Sequence, residues 1–179
     1  MMKQKGTFNI AYVQEINAQI LELPYAGKSL SMIILLPDDI IGLEQVERAM
    51  TYEKLTHWTS SENMRQREVE VHLPRFKLEH TFDLNLSLQE MGMTDAFDQS
   101  RADLSGMAPS KRLWLSNVVH KAYVEVNEEG TVAAGATGSV AVNKSYPSPA
   151  IFMADHPFLF LVKHNPTNTI LFLGKLFSP

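Results

Sequence analysis

The chain has 179 residues, 45% hydrophobic and 20% charged, which is enough for one domain with a real core and too apolar for a disordered chain. Its formal net charge of -4, with both signs interspersed, offers no basic field to nucleic acid, and the absence of cysteine excludes disulfides, thiolate zinc sites and a cysteine nucleophile while fitting a reducing compartment. No apolar run reaches the roughly 18 residues of a membrane-spanning helix, and the opening "MMKQKGTFNIAY" lacks the apolar centre of a signal peptide.

In chain order the pattern is mostly that of strands. "AQILELPYAGKSLSMIILLPDD" alternates, turns at Ala26-Gly27-Lys28, and continues as an apolar run from Met32 to Leu36, which predicts a hairpin. In "GLEQVERAMTYEKLTHW" the period changes: Leu43, Val46 and Met50 share one face of an amphipathic, broken helix. "EVEVHLPRFKLEH" alternates again, with Val69, Val71 and Leu73 on one face and Phe76 and Leu78 beyond a proline. "DLNLSLQEMGM" predicts a short helix with Leu84, Leu88 and Met91 on one side, Asp83 as cap and Gly92 as terminator. "LWLSNVVHKAYVEV" predicts a long strand from Leu113 to Val126, and "PFLFLVKHNPTNTILFLGKLFSP" a hairpin turning at Asn165-Pro166-Thr167-Asn168. The all-apolar runs Phe158–Val162 and Ile170–Leu173 predict strands buried on both faces. Long strands and few helices indicate an α+β domain of mainly antiparallel sheet.

One segment fits neither core nor ordinary loop. From Thr131 to Val142 nothing is larger than valine and nothing is charged. A flexible linker would account for its glycines and alanines, but linkers usually carry polar residues that keep them solvated. Set on a strand period, Thr131, Ala133, Gly135, Thr137, Ser139 and Ala141 form a face with nothing larger than threonine. Such a strand slides between two others without clashing with a core beneath, so the segment reads as a loop able to become a strand.

"VHKAYVEVNEEGTVAAGAT" and "ADHPFLFLVKHNPTNTILFLGKLFSP" resemble the central-strand hinge and the C-terminal signature of the serpins. "HLPRFKLEHTFDLNLSLQEMGMTDAF" and "ADLSGMAPSKRLWLSNVVHKA" resemble the stretches between, and "ELPYAGKSLSMIILLPDD" is similar to the ovalbumin-related, largely intracellular branch. The resemblance covers residues 1–179 as a partial serpin domain, the C-terminal half, with an exposed reactive-centre loop at about 128–150. It implies a serine protease inhibitor that works by bait and trap: a protease cleaves the loop, is held as an acyl-enzyme, and is dragged off as the loop inserts into the large sheet.

The family's spacing from Glu128, and the count back from "ADHPF", both imply Lys144-Ser145 as the bait bond. A lysine there implies a trypsin-like partner with a carboxylate in its specificity pocket. The implied hinge is Glu128, Glu129, Gly130, Thr131, Val132, Ala133, Ala134, Gly135, Ala136 and Thr137; Val132 stands where the family often has glutamate and Gly135 where alanine is commonest, neither being bulky, charged or proline. His120 matches the shutter histidine, with a conformational role. No residue is implied to be catalytic, and no metal or cofactor is implied.

The remaining histidines lack metal-ligand spacing, and Asp155-His156 with Ser145 has no nucleophile elbow to make a hydrolase. Asn85-Leu86-Ser87 and Asn143-Lys144-Ser145 are formal glycosylation sequons. The resemblance places the chain's opening in mid-strand, so a fragment, short isoform or truncated product lacking the N-terminal half is expected, with self-association through an exposed sheet edge. The competing expectation is a non-inhibitory serpin-fold protein or inactive fragment. A cytoplasmic location is implied, with non-classical release to the extracellular space as the second.

Overall fold

The computed structural model describes residues 1–109, 113–128 and 148–179. They fall into two compact units, Met1–Phe76 with Val126–Pro179, and Lys77–Glu125.

The first unit is built on a seven-stranded sheet. Its strands are β1 (Met2–Val13), β2 (Ala18–Pro24), β3 (Leu30–Pro37), β4 (Arg65–Leu73), β7 (Ala150–Met153), β8 (Phe158–His164) and β9 (Thr169–Leu176), in the order β7-β4-β1-β2-β3-β8-β9. All pairings are antiparallel except β4 with β7. The predicted hairpin turn joins β2 to β3: Gly27 and Lys28 both take positive φ, 80° and 57°, and the Lys28 N–H closes on the Tyr25 carbonyl at 2.9 Å. The second predicted turn joins β8 to β9, with Asn168 at φ 52°.

The broken helix is α1 (Leu43–Ala49) followed by α2 (Tyr52–Trp58). The break falls at Met50-Thr51, because Thr51 caps the second helix through its side-chain oxygen, which accepts the Lys54 N–H at 3.2 Å. Leu43, Val46, Leu55 and Trp58 face one side of the sheet and bury Ile16, Ala18, Ile20, Ile33, Leu35, Leu159 and Leu161. At roughly 1.5–3 kcal/mol for each large apolar side chain removed from water, this contact holds both helices, which are too short to persist alone. On the other face Phe76 packs against Phe158 and Phe160, ring centroids 6.0 and 5.3 Å away. β3 and β8 therefore bury both faces, as their unbroken apolar runs predict.

Two expectations need correction. Ile170–Leu173 is not buried on both faces: Leu171, Phe172 and Leu173 are 49%, 40% and 51% exposed. The reason is position, since β9 ends the sheet with β8 as its only strand neighbour among the described residues. The long strand expected over Leu113–Val126 is regular only as β6 (Val119–Val126), the length its partner β5 (Phe76–Asp83) can pair; Leu113–Val118 has no regular structure.

In the second unit β5 and β6 form a two-stranded ribbon. Lys121 pairs with Glu79, and the Lys77 ammonium lies 5.1 Å from the centre of the Tyr123 ring, contacts whose opposite order along the two strands makes the ribbon antiparallel. The short helix α3 (Asn85–Glu90) has Leu84, not the expected Asp83, at its N-cap position; the Asp83 carboxylate sits one residue earlier and accepts the Asn85 N–H at 2.9 Å, and the helix stops before Gly92 at φ 103°. Leu84 and Leu88 are half-buried, whereas Met91 is exposed.

Candidate functional site

The first residue of the expected hinge, Glu128, follows the end of β6. Val126 is buried, and two residues later Glu128 is exposed and tied to Arg75. Pro74 has no N–H to continue the ladder and marks the break between β4 and β5, which leaves Arg75 outside both strands. Its guanidinium donates from Nε to Glu128 Oε1 at 2.7 Å, and Nη2 donates to the same oxygen. These bonds hold the Glu128 carboxyl below its ordinary value, with a smaller contribution from the N-terminal ammonium. Glu128 also rims a small cleft of about 120 Å³ formed with Leu23, Val71 and Leu73.

The far anchor is β7. Ala150 pairs with Val69 and Met153 with His72, and the Ala154 N–H bonds the His72 carbonyl at 2.9 Å. Glu128 lies by Arg75 and Leu73, so the two anchors stand several residues of β4 apart, a gap on the order of 20 Å at about 3.3 Å per residue. The 21 residues from 129 to 149 can span roughly 70 Å, several times what closing that gap requires. The hinge positions Glu129, Gly130, Thr131, Val132, Ala133, Ala134, Gly135, Ala136 and Thr137, and the bond Lys144-Ser145, lie outside the described residues.

His120 stands exposed on β6, its ring stacked on Phe82 with centroids 6.4 Å apart; Phe82 in turn meets His80 at 4.4 Å. The other histidines have local partners. His72 is buried against Glu70 at 2.9 Å, and His164 Nδ1 meets Thr167 Oγ1 at 2.7 Å. His156 sits between the Asp155 carboxylate at 2.8 Å and the Pro37 carbonyl at 2.5 Å. Among the described residues no cluster of His, Asp or Glu could hold a metal ion. Asn85 of the first sequon is already engaged: its Oδ1 accepts the Val118 N–H at 2.8 Å and its Nδ2 donates to the Ser116 carbonyl at 3.4 Å. A glycan there would cost those bonds.

The sequence did not reveal Arg75 as the partner of Glu128. The two are 53 positions apart, and only the Pro74 break, which leaves an arginine outside both strands, hinted at a role.

Glu128 is clamped just past the end of β6, and the 21 residues after it far exceed the gap they have to close. Residues 1–179 match the family model described as "Serpin (serine protease inhibitor)", and the chain belongs to that family, one of inhibitors rather than enzymes. It is 56% identical over 179 residues to serpin B11 of Homo sapiens, covering 100% of this chain and 46% of that protein. It is 52% identical over 183 residues to the leukocyte elastase inhibitor of Sus scrofa, with 100% and 48% covered. The crystal structure of uncleaved ovalbumin superposes with a TM-score of 0.84 at 43% identity, over 99% of this chain and 44% of that one. The ovalbumin-type assignment and the serpin fold are thereby established, and the chain spans about half the length of the relatives it matches.

Proposed function

We propose that the protein to which this chain belongs is a bait-and-trap inhibitor of a trypsin-like serine protease, with Lys144-Ser145 as the bait bond. The observation that carries it is the hinge. β6 runs into a glutamate fixed by Arg75, and beyond Glu129 follow small, uncharged residues from Gly130 to Val142, with contour length to spare. Among the described residues one edge of β6 has no strand neighbour. On this proposal, insertion would add Thr131 onward as a new strand against that edge. At about 0.5–1.5 kcal/mol net per ladder hydrogen bond, a dozen inserted residues give roughly 10 kcal/mol, comparable with the stability of a whole domain. His120 then marks the place where the sheet parts. One relative is named for inhibiting an elastase, which fits inhibition as the shared activity. Lys144 points instead to a protease that reads a cation. The protein acts in the cytoplasm on this reading; no helix among the described residues is long and apolar enough to cross a membrane.

The test uses a longer protein in which this chain is joined to an N-terminal serpin half. Trypsin is expected to cleave after Lys144 and remain in a complex that survives denaturing electrophoresis, and Lys144→Glu is expected to abolish that complex. A trapped bond elsewhere in the loop refutes the assignment.

The second reading, a non-inhibitory or inactive product, rests on the span of about half of the relatives' length. It applies to the 179-residue chain acting alone.

A further inference from the structure

The core-facing row of β4 changes character along its length. Val69, Val71 and Leu73 are buried, but the same row continues backward as Arg67 and Arg65, both exposed. They stand opposite Phe8 and Ile10 of β1. Next-but-one residues on a strand lie about 6.6 Å apart, so the two guanidinium groups can be presented side by side. They line a cleft of about 550 Å³ whose other walls include the amides Gln19 and Asn63 and the first residue of β7, Ala150. The nearby charges are occupied elsewhere: Glu68 pairs with Lys5 at 3.2 Å, Glu15 with Lys54, and Asp38 accepts the Tyr12 hydroxyl at 2.6 Å. Among the described residues Arg65 and Arg67 have no ion pair or side-chain hydrogen bond. The connection carries Glu129 at its start, next to the Arg75-bound Glu128, and from position 130 to 149 its one charged residue is Lys144.

We propose that Arg65 and Arg67 form a secondary docking site for carboxylates on the surface of the protease that attacks Lys144-Ser145. The proposal rests on that bait assignment and adds the partner's second contact. Ala150 lies five residues beyond Ser145, a separation of at most about 18 Å. A protease domain of ordinary size is roughly 40 Å across, so one seated on the bait bond brings its own surface over this cleft. The chain's net charge of -4 gives no general attraction for a polyanion. A local pair of arginines flanked by amides suits acidic side chains on a protein surface. Exposed charges at an interface rim act chiefly on the association rate and its salt dependence.

The probes are trypsin and its succinylated, acidic derivative, acting on the 179-residue chain and on a free peptide of residues 138–150. The readout is kcat/KM for cleavage after Lys144. Relative to the peptide, the chain is expected to be cut faster by the acidic enzyme than by the native one at about 50 mM salt, and the difference to collapse near 0.5 M. The double variant R65E/R67E is expected to lose roughly tenfold with the acidic enzyme at low salt, while R65K/R67K keeps most of the effect. If the peptide and chain are cut after Lys144 but R65E/R67E matches the wild type, the docking site is overturned and the bait assignment stands. If neither is cut after Lys144, the bait assignment fails and the docking site falls with it.

Discussion

A single ion pair fixes where the long connection begins. Arg75 reaches Glu128 from the proline break between β4 and β5, and neither side chain is buried. Surface pairs contribute little to global stability, so the role of this one is local: it holds Glu128 in place. The pH dependence follows from the sign of the shift. The folded-state value of Glu128 lies below its ordinary 4.5, so the clamp's contribution is fully present above pH 4.5 and is lost as pH falls through the depressed value. A carboxyl titration followed by NMR is expected to place Glu128 below 4.5 in the wild type and to return it toward 4.5 in Arg75→Ala, with little change in the midpoint of global unfolding. An unshifted Glu128 in the wild type, or a variant that unfolds globally, contradicts this account.

At the scale of elements, close packing in the C-terminal hairpin makes one glycine indispensable. Gly174 of β9 faces Phe160 of β8, and a Cβ at that position would stand 2.6 Å from the ring, which is itself 1% exposed and has nowhere to move. Overpacking of this kind costs about 1–3 kcal/mol, so Gly174→Val is expected to lower the thermal midpoint by several degrees, measured by circular dichroism. Gly27→Ala is the contrast: nothing lies within 4 Å of its Cβ position, and the cost there is the positive φ alone. An unchanged midpoint for Gly174→Val would show that β9 shifts away from Phe160. The same hairpin shows what could be read from sequence. Local patterns placed both turns and the buried face of β4, and foresaw a broken helix without locating the break, because turn residues, caps and alternation are local chemistry. The pattern of Ile170–Leu173 could not distinguish a central strand from an edge one, since apolarity reports what a strand can bury and not whether a neighbour exists to bury it. For the same reason the sequence overextended β6 back to Leu113, six residues before its partner strand begins to pair. The smallness of residues 131–142 stands out in the sequence, whereas Arg75, Arg65 and Arg67 do not, because their neighbours come from strands distant in sequence.

For the 179-residue chain as a whole, the open edges decide behaviour. β9 is an edge strand with Leu171 and Leu173 about half exposed on one face, and Phe177 beyond it is 64% exposed. Exposed apolar edge strands template association. Insertion of a cleaved loop as a central strand requires neighbours on both sides, and among the described residues β6 is the strand adjacent to the hinge while its free edge faces no second strand. Cleavage after Lys144 asks only for an accessible loop; trapping asks for a completed slot. The chain alone is therefore expected to be cut by trypsin without retaining it, and to associate in a concentration-dependent way that Leu171→Glu with Leu173→Glu reduces. Denaturing electrophoresis after incubation with trypsin, with static light scattering on the same samples, measures both. A stoichiometric covalent complex formed by a monomeric 20.2 kDa chain would mean that one flanking strand is enough for the trap, and would remove the reason for assigning inhibition to a longer protein.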